Sequence, residues 1–147
     1  MQLVPSPEVV NGSLGTYFGI RWQVTPLLYS FALRRGLSPW RFLVAEPFAR
    51  QGGSVELFVS PEYVAFPGSL SDRALLRTGV RSYFPVLERG DYVSVSLGAS
   101  HFLLDGRSGA AFEAGAYVLF GVLGAQITYS PSPLPLTWVA TLRFRYF

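Results

Sequence analysis

Apolar and polar residues alternate with a period of two along most of the chain. In the run AAFEAGAYVLF (110–120), Phe112 and every second residue up to Phe120 are apolar and share one face, while Glu113 and Tyr117 share the other. Successive side chains of a β-strand point to opposite faces, so this alternation predicts strands. Because no helical stripe of useful length occurs, the pattern predicts an all-β protein.

Nine such runs are separated by short segments rich in glycine and proline, which are the usual residues of turns. They are LGTYFGIRWQV, LLYSFALRR, WRFLVAEPF, SVELFVS, LLRTGVRSYF, DYVSVSLGAS, AAFEAGAYVLF, GAQITYS and TWVATLRFRYF. The short connections predict an antiparallel up-and-down meander, since parallel strands require longer crossovers. The length of 147 residues predicts a single domain, residues 1–147.

The composition indicates which face of these strands lies inside the protein and which lies outside. The chain is 50% hydrophobic and only 14% charged, against about 25% charged residues in ordinary soluble domains. No segment is apolar enough for a transmembrane helix. The polar face carries Gly, Ser, Ala and Tyr with an occasional Arg or Glu, which is typical of a packed interior. An apolar outside, a polar inside and frequent aromatics near strand ends predict a transmembrane β-barrel.

A closed bacterial barrel has an even number of strands, and nine runs do not satisfy this rule. Either two runs belong to one strand, which favours eight strands, or an additional strand precedes a hairpin turn at Asn11–Gly12, which gives ten. Pro5 and Pro7 disfavour a regular strand there. Residues 1–13 are therefore expected to form a loop or a partial first strand.

The alternating strands and the final Phe147 resemble the small OmpA- and OmpX-like outer-membrane barrels of bacteria. The resemblance implies that Phe147 belongs to the signal read by the barrel assembly machinery. The chain departs from the usual form of that signal at Arg143 and Arg145, where apolar residues are the rule. The resemblance further implies location in the bacterial outer membrane, contact with membrane lipid including lipopolysaccharide, and a signal peptide, which MQLVPSPEVV does not provide.

Odd and even positions along a strand face opposite sides of the sheet, and this parity assigns each candidate site residue to the interior or to the outer surface. Side chains predicted to form a charge network in the lumen are Arg21, Arg34, Glu56, Arg77, Arg81, Glu113, Arg143 and Arg145. Side chains predicted to face lipid or to form aromatic girdles are Trp22, Tyr29, Phe112, Phe120, Trp138, Phe144 and Tyr146. Six arginines against two glutamates leave an excess of positive charge in this set. The excess predicts that some arginines lie at the rims or that the lumen holds an anion.

Candidate catalytic chemistry is sparse. The one histidine, His101, adjoins Ser100, and neighbours on a strand point to opposite faces, so they cannot form a catalytic pair. No group of metal ligands, phosphate-binding loop or nucleic-acid motif is found, the chain has no cysteine, and no cofactor is expected.

We therefore expect a non-enzymatic barrel with a structural or interaction role through its outer loops. Two alternatives stay open: an outer-membrane lipid-modifying enzyme, and a soluble or periplasmic barrel that binds an apolar ligand inside. All twelve basic residues are arginine, which suits desolvated or headgroup-facing positions, although codon bias also produces this composition.

Overall fold

A computed structural model describes residues 4–13, 15–31, 33, 40–42, 53–65, 74–86, 93–104, 106–119, 121–131 and 137–144, with the backbone alone for 40–42. The described residues form ten strands and confirm the all-β prediction. The strands are β1 (Ser6–Gly12), β2 (Gly15–Arg21), β3 (Val24–Ser30), β4 (Trp40–Phe42), β5 (Ser54–Val64), β6 (Ala74–Pro85), β7 (Val93–Leu104), β8 (Arg107–Val118), β9 (Leu123–Tyr129) and β10 (Trp138–Phe144). No described helix is long and apolar enough to cross a membrane.

An antiparallel barrel of eight strands is closed by pairing of the first strand with the last. Neighbours around it are β1, β2 with β3, β5, β6, β7, β8, β9 and β10, and β10 pairs back onto β1. β2 and β3 are two segments of one barrel strand, since β2 pairs with residues 62–64 of β5 and β3 with residues 54–59. β4 is an extra strand on the other edge of β3. The prediction of eight barrel strands is confirmed.

The interruption between β2 and β3 lies at Trp22 and Gln23, opposite Pro61. The Trp22 backbone N–H donates to the Pro61 carbonyl at 3.0 Å. In an antiparallel sheet the N–H and C=O of a given residue point to the same neighbouring strand. The Pro61 carbonyl points to Trp22, so the N–H that proline lacks would point there too, at the interruption between β2 and β3. Thr25 and Pro26 lie inside β3, and a bulge in the pairing with β5 accommodates the proline.

The first barrel strand lies in the segment that was expected to be a loop or a partial strand. β1 pairs along its full length with β2, and its residues 8–11 pair with β10. Pro7 is the second residue of β1 and has no N–H to continue the ladder to β10. There the Phe144 N–H donates to the Ser6 hydroxyl at 3.4 Å. We call the β1–β10 pair that closes the barrel the seam. A side-chain hydrogen bond thus links the two strands of the seam at the point where the backbone ladder stops.

The two rims of the barrel differ. β1 begins and β10 ends at one rim, which we call the terminal rim, and the turns that join β1 to β2 and β7 to β8 lie at the opposite, far rim. A cluster of buried apolar side chains fills the interior near the far rim: Val10, Val64, Leu75, Phe102, Leu104, Ala111 and Val139. The rest of the described interior is lined mostly by polar side chains, with Leu28 and Phe58 among them. An apolar layer therefore closes the polar lumen at the far rim.

Polarity is inverted relative to an ordinary soluble domain. Large apolar side chains are exposed all around the outside; those with the largest exposed fractions in the strands are Phe18, Leu97, Phe112 and Ile127. Among the side chains that the structure describes, the only charged one outside the interior is Arg107, the first residue of β8. The fold therefore separates an apolar outer surface from a charged interior.

Candidate functional site

Eight charged side chains meet inside the barrel, and we call this group the lumen cluster. Each has a relative exposure of 4% or less. The members are Glu8, Arg21, Glu56, Glu62, Arg77, Arg81, Glu113 and Arg143. Since every barrel strand except β7 and β9 contributes at least one member, the cluster exists only when the sheet is closed.

Glu113 on β8 is the hub of the cluster. Its carboxylate accepts hydrogen bonds from the Nε of Arg81 at 3.2 Å and from the Nη2 of the same guanidinium. On the other oxygen it accepts from Arg21 Nη2 at 3.5 Å and from the Ser100 hydroxyl at 3.1 Å. Arg77 Nη1 lies 3.8 Å from this second oxygen. One carboxylate thus interacts with three arginines.

Glu62 on β5 is shared by two of those arginines. Arg77 binds it with two parallel hydrogen bonds, from Nε at 2.8 Å and from Nη2 at 3.1 Å. The Nε of Arg21 lies 2.9 Å from Glu62 Oε1 and also donates to the Ser60 hydroxyl at 2.9 Å. Forked binding of this kind needs the planar guanidinium group and is not available to lysine.

The third carboxylate, Glu56, is held by charged and neutral donors together. Its Oε1 accepts from Arg81 Nη1 at 2.9 Å, from the Tyr83 hydroxyl at 2.7 Å and from Gln23 Nε2 at 3.1 Å. Its Oε2 accepts from the Thr25 hydroxyl at 3.3 Å. The side chains come from β3, β5 and β6 and from the junction at Gln23, so the network ties the interrupted strand to its neighbours.

Arg143 on β10 joins the network through amides. It donates to Gln23 Oε1 at 2.7 Å and to Gln126 Oε1 at 3.0 Å. Gln23 therefore bonds both Arg143 and Arg81, since the Arg81 Nη1 also donates to its Oε1 at 3.2 Å. The hydrogen bonds run without interruption from β10 across the lumen to β6.

Aromatic rings cover the arginines on their planar faces. The guanidinium carbon of Arg81 lies 4.3 Å from the centre of the Phe58 ring, and that of Arg21 lies 5.7 Å from it. Arg77 stands over Phe102 at 5.5 Å. Such contacts contribute about 0.5 to 2 kcal/mol each. They explain why a ring as large as Phe58 lies in an otherwise polar layer.

The predicted lumen residues Arg21, Glu56, Arg77, Arg81, Glu113 and Arg143 all lie in the interior and belong to one network. Arg34 and Arg145 lie outside the described residues. The sequence reasoning missed Glu8, because Pro5 and Pro7 disfavoured a strand there, and Glu62, because the run was ended before Pro61. Continuing the parity of Glu56 beyond that proline would have found Glu62.

These two additional glutamates double the number of negative charges that the sequence assigned to the lumen. The described interior contains four arginines and four glutamates, so its formal charges balance when all are ionised. The count of two anions was too low because it covered only the strand segments free of proline, and two of the six predicted cations, Arg34 and Arg145, lie outside the described residues. The argument for a bound anion loses its basis in the described part of the lumen.

The predicted outward-facing residues lie on the apolar surface where the structure describes them. Trp22, Tyr29, Phe112 and Trp138 are exposed, and Phe144 is half-buried. Tyr129 and Trp138 form a cross-strand ring pair with centroids 4.6 Å apart at the far rim. Phe120, Tyr146 and Phe147 lie outside the described residues.

Ser100 and His101 are on opposite faces of β7. Ser100 is buried and donates to Glu113, whereas His101 is exposed on the outside. No group of three or more His, Cys, Asp or Glu side chains suited to a metal ion occurs among the described residues. The chemistry that the described site offers is therefore charge pairing and hydrogen bonding.

The fold and the site define a closed eight-stranded β-barrel with a charged interior. Comparisons with known protein families, curated proteins and solved structures found no match for this chain.

Proposed function

We propose that the protein is a small barrel that spans the bacterial outer membrane and has a non-enzymatic, structural or interaction role through the loops at its rims. The observation that supports this proposal best is the inverted polarity. In water, exposing Phe18 at 76%, Leu97 at 60% and Phe112 at 58% while burying eight charges would be unfavourable on both sides of the sheet. In a membrane the same arrangement is expected.

The strand lengths support the proposal. β6, β7 and β8 have 12 residues each. At about 3.3 Å per residue and a tilt of about 45°, such a strand spans about 28 Å, close to the hydrocarbon thickness of about 30 Å. Closure also satisfies the backbone hydrogen bonds that a sheet edge would leave unpaired in lipid.

Exposed aromatic side chains near strand ends add to this support. At the far rim they are Tyr63, Tyr129 and Trp138, and toward the terminal rim Tyr29 and Phe84. Tyrosine and tryptophan are favoured at membrane interfaces because their rings are apolar while their O–H and N–H groups can bond to water or headgroups. Phe112 lies in the middle of β8, at the level proposed for the hydrocarbon core, where a purely apolar ring is favourable.

The two alternatives find less support. A lipid-modifying enzyme would need a serine and histidine that meet, and Ser100 and His101 are separated by the sheet. A soluble barrel with an apolar ligand inside would need an apolar cavity, whereas the described interior contains the charged lumen cluster and, near the far rim, packed apolar side chains. An interaction role requires no reactive group.

The experiment compares two leucine-to-arginine variants during folding into lipid vesicles. Leu97→Arg places a charge in the middle of β7 on the outer surface, and Leu119→Arg places it in the β8–β9 turn. On the lipid face of a barrel an arginine costs about 2 to 4 kcal/mol at the bilayer midplane and little at the interface. We expect Leu97→Arg to reduce the folded fraction strongly and Leu119→Arg to leave it nearly unchanged.

Folding is read from the gel mobility of unboiled samples and from protection against protease. The proposal is contradicted if the wild-type chain is a stable monomer in water without detergent, and Leu97→Arg leaves its folding intact. That result would favour the soluble barrel.

A further inference from the structure

Glu8 differs from the other carboxylates of the lumen cluster in accepting no hydrogen bond within the part of the chain that the structure describes. Its side chain is buried, with a relative exposure of 2%, and neither oxygen receives a hydrogen bond from the described residues. Glu56, Glu62 and Glu113 each accept at least two. A buried carboxylate without donors is strongly disfavoured relative to its neutral acid.

The described walls around Glu8 direct no hydrogen bond to its carboxyl group. On β1 the next inward-facing residue is Val10, and across the ladders Glu8 faces Gly19 and Thr141. The carboxyl group lies against Gly19, where a Cβ atom would come within 2.9 Å of Glu8 Oε1. The Thr141 hydroxyl makes no hydrogen bond with the described residues either.

Four charged groups on other strands face Glu8. They are Arg21 on β2, Glu62 on β5, Arg77 on β6 and Arg143 on β10. Arg21 and Arg77 direct their hydrogen bonds to Glu62 and Glu113, and Arg143 bonds Gln23 and Gln126. The competing negative charge of Glu62 therefore holds the two arginines that could otherwise bond Glu8.

Those two arginines each keep one unused terminal nitrogen. Arg21 Nη1 and Arg77 Nη1 are buried and make no hydrogen bond with the described residues, although Arg77 Nη1 lies 3.8 Å from Glu113. Two donors and an acceptor pair that lack partners thus occur within one cluster.

We propose that Glu8 is a proton-binding site in the lumen. In the arrangement that the structure shows, it carries the proton as a carboxylic acid, and Glu62 holds Arg21 and Arg77. When Glu8 loses the proton to bulk water, its carboxylate accepts hydrogen bonds from Arg21 Nη1 and Arg77 Nη1, and the cluster regains equal numbers of positive and negative groups. The site depends on the lumen alone and not on whether lipid or water surrounds the barrel.

The test uses one substitution at two positions, Glu8→Gln and Glu113→Gln. Glutamine closely mimics a protonated glutamate and removes the charge of an ionised one. We expect Glu8→Gln to leave the midpoint of urea unfolding at neutral pH unchanged, and Glu113→Gln to lower it clearly. Infrared spectroscopy at the same pH should show a buried carboxylic-acid carbonyl band in the wild-type protein that disappears in Glu8→Gln and persists in Glu113→Gln.

A wild-type measurement covers the case in which a variant does not fold. The chain has six glutamates, and carbon NMR of their labelled carboxyl groups should show one that is still protonated at neutral pH and titrates at a higher pH than the rest. As that group titrates, the side-chain nitrogen signals of Arg21 and Arg77 should shift. Fully ionised glutamates at neutral pH, or an acid band that survives in Glu8→Gln, would overturn the proposal.

Discussion

Removing the charge of Glu113 is the most informative single change in the lumen. In Glu113→Gln the shape of the side chain is kept, but Arg81 loses its two-pronged carboxylate partner and Arg21 and Arg77 lose a shared counter-charge. The new amide nitrogen is a hydrogen-bond donor, and the arginine groups around it are donors as well. Because all these groups are buried, solvent cannot replace what is lost.

The magnitude follows from the burial of the cluster. Removing one partner of a buried, hydrogen-bonded ion pair typically costs about 3 to 5 kcal/mol, because it leaves an uncompensated charge. We therefore expect Glu113→Gln to lower the free energy of unfolding by about 3 to 5 kcal/mol, a large part of the total stability of a small domain. The assay is urea unfolding followed by tryptophan fluorescence, in the solvent or detergent that keeps the barrel monodisperse.

Two comparisons sharpen the interpretation. Arg107→Gln removes an exposed charge at the far rim and should change stability by less than about 0.5 kcal/mol. The double variant Arg81→Met with Glu113→Leu removes both partners of the central pair but also takes from Glu56 its arginine, so its loss of stability should be smaller than the sum of the two single losses, since the two groups are coupled. A loss below about 1 kcal/mol for Glu113→Gln would refute the view that the lumen is held by desolvated charge pairs.

Two further predictions concern arginine chemistry and barrel closure. Arg81→Lys should cost about 1 to 3 kcal/mol in urea unfolding, because lysine cannot donate to two carboxylates in a fork or lie flat on a ring; equal stability would contradict this. The chain has no cysteine, so Val9→Cys with Ala140→Cys, paired across the seam, should cross-link on oxidation and shift gel mobility. The control Val9→Cys with Val139→Cys, on opposite faces of the sheet, should not.

The alternating pattern predicted the all-β fold and the parity of the described lumen residues, since in β6 Arg77, Arg81 and Tyr83 are buried while Thr78 and Val80 between them are exposed. Proline marked the limit of this reasoning. Pro7 and Pro61 lie within barrel strands, where local propensity predicts a break, and tertiary pairing at irregular points of the ladder overrides it.

The partition of the nine runs into strands could not be derived from local sequence. The runs LGTYFGIRWQV and LLYSFALRR contribute to one barrel strand because β2 and β3 find the same partner, β5, and that pairing is a property of the closed sheet. The charge balance could not be derived either, since it depends on Glu8 and Glu62, which the local rules placed outside strands. Closure therefore determines both the strand count and the composition of the lumen.

Arginine content, aromatic residues and barrel size are linked by the width of the interior. An eight-stranded barrel is only wide enough for side chains to fill it, so each interior charge must find its partners among residues of other strands. Arg81 does so with three features of the guanidinium: two nitrogens on Glu113, one on Glu56, and a flat face on Phe58. A lysine ammonium offers none of this geometry. Codon bias can account for the missing lysine elsewhere in the chain, but inside the lumen the geometry itself requires arginine.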